Sequence, residues 1–546
     1  MLARKILEVE PKNLDALKGL GLVKLKQHLY DEAINLLKEA FELNPKDKEI
    51  KIKLIYALEL QAKQTAFTSQ LPESIELIRC ALKLEPFNSI LLCRMSLLLS
   101  VSKNFIEALE FADKALSIDK KSSEAFNMIG LALLGLQRLP EAEKKLLKSI
   151  SLNPDAASAY SNLSLVYRAR GEYVKALEII KRAAALDNKN PQILNNLGVL
   201  HLDCNNLEDA ERSFRKSLDN QSEYSEAHYN LGRVLLMGEK FTEGWEHSEW
   251  RWSCSEFPFS PRYTNITEWM GQNLKGKKIL VWGEQGIGDE IMFASLIPEL
   301  NKICDKLLIE CDSRLKPIFQ RSFDNTFVID RNDLSEALVK RLDPDYQISM
   351  GSLCKFLRKN THDFVTTRVR YLQENPELKK EIQNRYSKLG PEPKIGISWK
   401  SGNQIIGPER SAPLKLWGKV LSFRKCHFIN LQYGNVSDEI SSVSRLFGVK
   451  IHQDEMIDPR KNAENWFAQI ASLDHVISID NSTIQVSGSL GVPTWTLLSR
   501  KPEWRFGLNR SDHLWHSSVR VYRQKELNNW DPVINEVARD LSHSLK

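Results

Sequence analysis

The sequence predicts an α-helical repeat array followed by an α/β domain built of two Rossmann-like halves. Three observations carry that reading. Small residues recur every 34 positions from Ser96 to Gly232; all twelve tryptophans lie between Trp245 and Trp530, while nine of the 25 glycines come before them; and from Lys277 onward short β-rich runs alternate with amphipathic stretches.

A chain of 546 residues has room for about three to four domains at roughly 150 residues each. With 42% hydrophobic, 27% charged and 8% aromatic residues, its composition is that of a globular protein and excludes a disordered or fibrous one. Its 76 basic and 70 acidic side chains leave +6, spread without a dense basic block, so nucleic acid is not an expected partner. The eight cysteines form no CxxC pair, which argues against a disulfide framework or a zinc knuckle and fits a reducing compartment. The start, MLARKILEVEPKN, lacks the apolar core of a signal peptide, and the longest apolar stretch, near residues 89–101, is broken by Arg94. No transmembrane segment is therefore expected. The location expected is cytoplasmic, compatible with peripheral contact at the inner membrane.

The first 249 residues hold the repeats. Gly130, Ser164, Gly198 and Gly232 are 34 residues apart, with Ser96 one period earlier; Ala108, Ala142, Ala176 and Ala210 keep the same period. Pro45, Pro86 and Pro154 fall where a second helix should end. Short side chains let two helices approach closely, and the apolar residues between them recur at helical spacing. This resembles the tetratricopeptide repeat. Seven repeats start near residues 14, 48, 89, 123, 157, 191 and 225, the second enlarged by seven residues around Lys63 to Gln70, and residues 1–10 read as a half repeat. Such solenoids hold polypeptides or partner proteins in a concave groove. Asn162, Asn196 and Asn230 recur at one position of three successive repeats, a row able to hydrogen-bond a peptide backbone of any sequence. It resembles the asparagine ladder of O-linked N-acetylglucosamine transferases. The alternative is that asparagine is simply common at that position of the repeat.

Residues 250–276 read as a joint, because Trp250, Trp252, Phe257, Phe259 and Trp269 are costly to leave in water. Residues 277–390 then form one Rossmann-like half and residues 391–546 a second, separated by the Gly390-Pro391-Glu392-Pro393 break. The first strand runs into Gly283-Glu284-Gln285-Gly286-Ile287-Gly288-Asp289 and a helix, placing a glycine turn at the carboxyl edge of the sheet. A dinucleotide fingerprint fails there, because Ile291 stands where the third glycine belongs, although Glu310 or Asp312 could mimic the ribose-binding acid. Asp289 is either a first-turn carboxylate favoured by the helix dipole or a general base, and local spacing does not separate the two.

In the second half, HVISID delivers Asp480-Asn481-Ser482-Thr483 to the start of a helix, followed by Gln485 and Gly488. Free amides at such a start suit a diphosphate, although Asn481 or Ser482 could be a plain N-cap. Lys400 and Arg410 flank the loop KSGNQIIGPERSAP and either approach the same anion or are solvated charges. The sole DxD, Asp343-Pro344-Asp345, reads as a loop, and the histidines, His475 and His513 included, lack metal-ligand spacing.

The segments GEQGIGDEIMFASLIPEL, ISWKSGN, ERSAPL, FINLQYG and LDHVISIDNSTIQVSGSLGVPTWTLL, followed by PEWRF, resemble the bacterial tetratricopeptide-repeat glycosyltransferases, whose catalytic part is similar to the ADP-heptose:lipopolysaccharide heptosyltransferases. The resemblance covers most of residues 245–530 in order. It implies a GT-B fold with the acceptor on the first half and a nucleotide sugar on the second. It also implies that Asp289 is the catalytic base beside an acceptor-side loop of Glu284, Gln285, Gly286 and Gly288. Lys400, Arg410, Asp480, Asn481, Ser482, Thr483, Gln485 and Gly488 fall on the donor side. Arg410 stands where those enzymes often have Lys, and Gln485 where many have His, so the sugar is left unspecified.

The implied reaction is an inverting single displacement onto a polypeptide or glycan acceptor. It needs no metal and no cofactor beyond the nucleotide sugar as co-substrate. The competing class is a repeat scaffold whose α/β domain has lost activity and only binds sugar nucleotides or partners.

Overall fold

The structure is a computed structural model that describes residues 2–67, 70–255, 257–367, 370–403, 407–501 and 503–544. It divides into two compact units, Met1–Tyr224 and Ser225–Lys546. Two stretches singled out in the sequence, the insertion around Lys63 to Gln70 and the loop after Lys400, lie outside the described residues at 68–69 and 404–406.

The first unit is helical. After Leu2–Val9, paired helices open at Leu14, Lys48, Ser89, Ser123, Ala157 and Pro191. Asn13, Asn88, Ser122 and Asn190 each accept a first-turn N–H and start the first helix of a pair, satisfying amides that have no intrahelical partner. In five of these six pairs the backbone turns between the two helices through one left-handed residue: His28, Lys103, Gln137, Gly171 and Asn205 all have φ between 60° and 76°. Ala108, Ala142, Ala176 and Ala210 are fully buried. A Cβ on Gly130 would lie 2.5 Å from Leu146 Cγ, so the small-residue row is where the helices of a pair touch. The helical tetratricopeptide array read from the period is thus present.

The second unit opens with one more pair, Ser225–Met237 and Phe241–Ser248, whose connecting turn again has a left-handed residue, Glu239. Trp250 stacks on His228 at 4.0 Å, and Trp269 is buried against Phe356 at 4.7 Å. Phe259 differs from Trp250, Trp252, Phe257 and Trp269 and stays 37% exposed. Glu268 bridges in parallel to Gln347, which adds a rung to the edge of the first sheet.

That sheet has four parallel strands, β1 (Lys278–Trp282), β2 (Lys306–Cys311), β3 (Thr326–Asp330) and β4 (Tyr346–Ser349), in the order β3-β2-β1-β4. The second has six, β5 (Lys394–Ser398), β6 (His427–Asn430), β7 (Ile451–His452), β8 (His475–Ile479), β9 (Thr494–Leu498) and β10 (Val519–Arg523), in the order β10-β9-β8-β5-β6-β7, also parallel. Their central strands read as near-continuous apolar runs because both faces are covered. Each sheet winds one way from its first strand and then the other, so the winding reverses between β1 and β4 and between β5 and β8. In open α/β sheets ligands bind beside such reversals, at the carboxyl ends of the strands.

Candidate functional site

The glycine turn after β1 leads into the helix Ile287–Phe293, and the sharp end of β8 leads into the helix Ser482–Ser489. These two helices pack against each other: a Cβ on Gly288 would lie 3.4 Å from Ser482 Cβ and 3.7 Å from Gln485 Cγ. Two candidate motifs far apart in sequence therefore share one place.

Asp289 sits in the first turn of its helix. Its Oδ2 accepts the Gly286 N–H at 3.2 Å, which is the first-turn role, and its Oδ1 accepts Arg505 Nη1 at 2.8 Å. Arg505 comes from PEWRF, to which sequence reasoning gave no role. Its side chain is 15% exposed, and its Nε has no hydrogen-bond partner. Although burial opposes its charge, Asp289, Glu503 and Asp480 hold it well above the usual arginine value.

Arg410 lies 3.3 Å from Asp480 Oδ2 and pairs with Glu503. Burial pushes the Asp480 carboxyl up, with Glu503 and Asp289 adding repulsion, against the pull of Arg410 and Arg505. Burial acts the same way on Glu503, but Arg410, Arg233 and Arg505 outweigh it and bring that carboxyl down to about 2. The site is thus a cluster of alternating charges: Asp289, Arg505, Asp480, Arg410 and Glu503.

Asn481 is the N-cap of its helix. Its Oδ1 accepts Thr483 N–H at 2.9 Å while its Nδ2 donates to Ser398 Oγ at 2.8 Å, tying β8 to β5 across the winding reversal. Thr483 is buried and Ser482 half-buried. Gln485 accepts a hydrogen bond from His516 Nε2 at 2.8 Å, and a Cβ on Gly488 would lie 2.3 Å from His516 Cγ. A histidine thus reaches the Gln485 position from another segment. Lys400 is exposed; the loop that carries it is held by Gln432, whose Oε1 accepts the Trp399 and Lys400 N–H groups.

Glu284 faces the other way. It is 2% exposed and receives Arg251 through two hydrogen bonds of 2.8 and 3.0 Å, with Gly351 N–H at 2.9 Å. Gln285 donates to it and takes the left-handed conformation at φ 63°. Glu310 is matched by Arg262, Arg331 and the Tyr263 hydroxyl, and Asp312 by Arg314, so neither acid of the dinucleotide alternative points to a ribose. Of the DxD pair, Asp345 binds Lys277 Nζ and Lys278 N–H, each at 2.8 Å. Among the described residues no group of three or more His, Cys, Asp or Glu side chains converges to hold a metal.

In the first unit Asn162 Nδ2 donates to Asn127 Oδ1 at 2.9 Å, and Asn196 Nδ2 donates to Ser161 Oγ at 3.2 Å. These amide nitrogens link each repeat to the one before it. Asn230, in the second unit, is half-buried.

Tetratricopeptide-repeat families match residues 127–191 and 167–231. Protein FlbA of Caulobacter vibrioides is 30% identical over 438 residues, covering 77% of this chain and 72% of FlbA. The chain belongs to the FlbA family. The FlbA match is longer than the region the repeat families cover. Human protein O-mannosyl-transferases TMTC3 and TMTC1 are 30% and 28% identical over 168 and 203 residues, and the chain spans 18% and 22% of their lengths. A tetratricopeptide-repeat protein from Parabacteroides merdae is 17% identical with a TM-score of 0.36, over 43% of this chain and 90% of that one. Among the described residues no helix is long and apolar enough to cross a membrane.

Proposed function

We propose that this chain is a glycosyltransferase of GT-B type that moves a sugar from a nucleotide-sugar donor to a protein or glycan acceptor, with inversion and without a metal. In this reading residues 1–249 recruit the acceptor or a partner, residues 250–276 join them to the enzyme, residues 277–390 form the acceptor half and residues 391–546 the donor half. Its catalytic part then acts as the heptosyltransferase-like resemblance implies. The observation that carries the reading is the contact of the helix bearing Asp289 with the helix starting at Ser482, each beside a winding reversal.

The chemistry follows from the side chains gathered there. Asp289 takes the proton of the acceptor hydroxyl as its oxygen bonds to the anomeric carbon; the bond from that carbon to the phosphate oxygen breaks, and the diphosphate leaves with the electron pair. Ser482, Thr483 and the start of their helix, with Arg410, meet the charge on the leaving group. Each basic partner must change hands for this to happen, Arg505 leaving Asp289 and Arg410 leaving Asp480 and Glu503. Two relatives are named protein O-mannosyl-transferases, which supports a protein acceptor over the share of those chains that matches. Asn162 and Asn196 would then hold its backbone through their carboxamide oxygens.

One observation favours the scaffold reading: Arg410 and Arg505 are already matched by carboxylates. Calorimetric titration with nucleoside diphosphates separates the two readings of Arg410. Arg410→Ala should weaken binding tenfold or more, and a chelator should leave it unchanged. A bound diphosphate beside Gly286 and Gly288 would reverse the roles of the two halves.

A further inference from the structure

A cavity of about 390 Å³ opens at the carboxyl ends of β1 and β4, the strands between which the first sheet reverses its winding. Its position is that of ligand sites in open α/β sheets, and its volume lies in the range of small-molecule sites. The sheet contributes Trp282 and Gln347, and the joint contributes Trp252, Arg262, Asn265 and Glu268. Trp282 Nε1 donates to Gln347 Oε1 at 2.6 Å, which leaves the Gln347 amide nitrogen as the donor end. The Glu268–Gln347 bridge places both residues on one face of the sheet. Trp252 lies 5.5 Å from Trp282 and is half-buried, while Asn265 and Glu268 stand exposed on the rim.

Charge narrows the class of ligand. Arg262 is the basic residue among the described lining, and it is matched by Glu310 at 3.0 Å while also donating to the Gly283 carbonyl. Arg251, 4.3 Å from the Trp252 ring, is matched by Glu284 and Glu249. A phosphate would therefore have to displace a carboxylate from its arginine and also sit beside the Glu268 carboxylate, which repels it. Arg262 lies 4.7 Å over the Trp282 ring, so what the cavity offers is the half-buried Trp252 indole, two carboxamides and a carboxylate. A pyranose ring presents an apolar C–H face to such an indole and hydroxyls that donate to the carboxylate and accept from the amides.

We infer that this cavity binds a neutral pyranose ring. It rests on the transferase reading only for its purpose, since the backbone that receives Arg262 at Gly283 runs directly on to Asp289. The ring belongs either to the donor sugar or to a saccharide on the acceptor.

Saturation-transfer NMR on the full chain with the methyl glycosides of glucose, galactose, mannose and N-acetylglucosamine tests this. At least one should bind, and both Trp252→Ala and the Asn265→Ala/Glu268→Gln pair should weaken it tenfold or more. The second variant alters exposed side chains alone, so the test does not depend on whether the tryptophan variant folds. Displacement of the glycoside by nucleotide sugars would assign the ring to the donor, and simultaneous binding would assign it to the acceptor. Absence of binding by all four glycosides, or binding unchanged in both variants, overturns the site. Glycoside binding in a chain that transfers no sugar would keep the site and remove the transferase reading, whereas transfer without glycoside binding would do the reverse.

Discussion

Asp289 is held by two donors of different kinds, a backbone amide from its own turn and a guanidinium from a residue 216 positions away. The amide bond fixes the carboxylate and leaves one oxygen directed outward; the guanidinium occupies that oxygen. A general base must give up the second partner for the acceptor hydroxyl, so Asp289→Asn should leave nucleotide affinity nearly unchanged while lowering turnover about a hundredfold or more. Steady-state kinetics with parallel nucleotide titration checks this, and normal turnover would remove Asp289 from the mechanism. Arg505 also screens Asp480 and Glu503. Replacing it with alanine leaves neighbouring carboxylates facing one another and should destabilise the fold by about 3 kcal/mol, measured by denaturant unfolding.

The low value of the Glu503 carboxyl has a sign that can be worked through. The folded state holds this group ionised more strongly than the unfolded chain does, so its contribution is fully present above the unfolded value near 4.5 and is lost as pH falls toward about 2. Glu503→Gln should therefore flatten the fall in stability between those two values. An unchanged acid-unfolding profile would show that Arg410, Arg233 and Arg505 do not act on Glu503 as the geometry requires.

At the scale of elements, the close approach of His516 to Gly488 is a constraint that one methyl group tests. Gly488→Ala puts a Cβ 2.3 Å from His516 Cγ and should cost about 1–3 kcal/mol as overpacking, again read by denaturant unfolding. The repeats show what was legible in the sequence and what was not. The 34-residue spacing of small side chains marks where paired helices touch, and it was readable because sterics admit only Gly, Ala or Ser there. The left-handed turn residue keeps the same spacing at Lys103, Gln137, Gly171, Asn205 and Glu239, yet its side chains share no chemistry, so the backbone repeats where the letters do not. The glycine turn and the Asp480 segment were likewise legible as strand-to-helix junctions. Their meeting was not, because no local pattern reports that Arg505 reaches Asp289 or that His516 reaches Gln485. Asn162 and Asn196 were legible as a row, but their amide nitrogens bind neighbouring repeats. Changing both to alanine should therefore lower the stability of the array as well as weaken transfer to protein, each lost hydrogen bond being worth about 0.5–1.5 kcal/mol.

At the scale of the whole molecule, one chain joins a repeat array to a unit with two parallel sheets, and the FlbA relationship extends over 77% of it. Repeats alone specify partners and no chemistry; the case for an enzyme rests on the charges gathered between the helices that begin beside Asp289 and Ser482. The most direct test is to incubate the full chain with a panel of nucleotide sugars, with a chelator and without, and to measure release of the nucleoside diphosphate. The proposal expects release from at least one donor, unaffected by the chelator and reduced about a hundredfold or more by Asp289→Asn. Binding of nucleotide sugars without release of diphosphate from any of them, in the presence of protein and glycan acceptors, would contradict it and leave a scaffold that only binds.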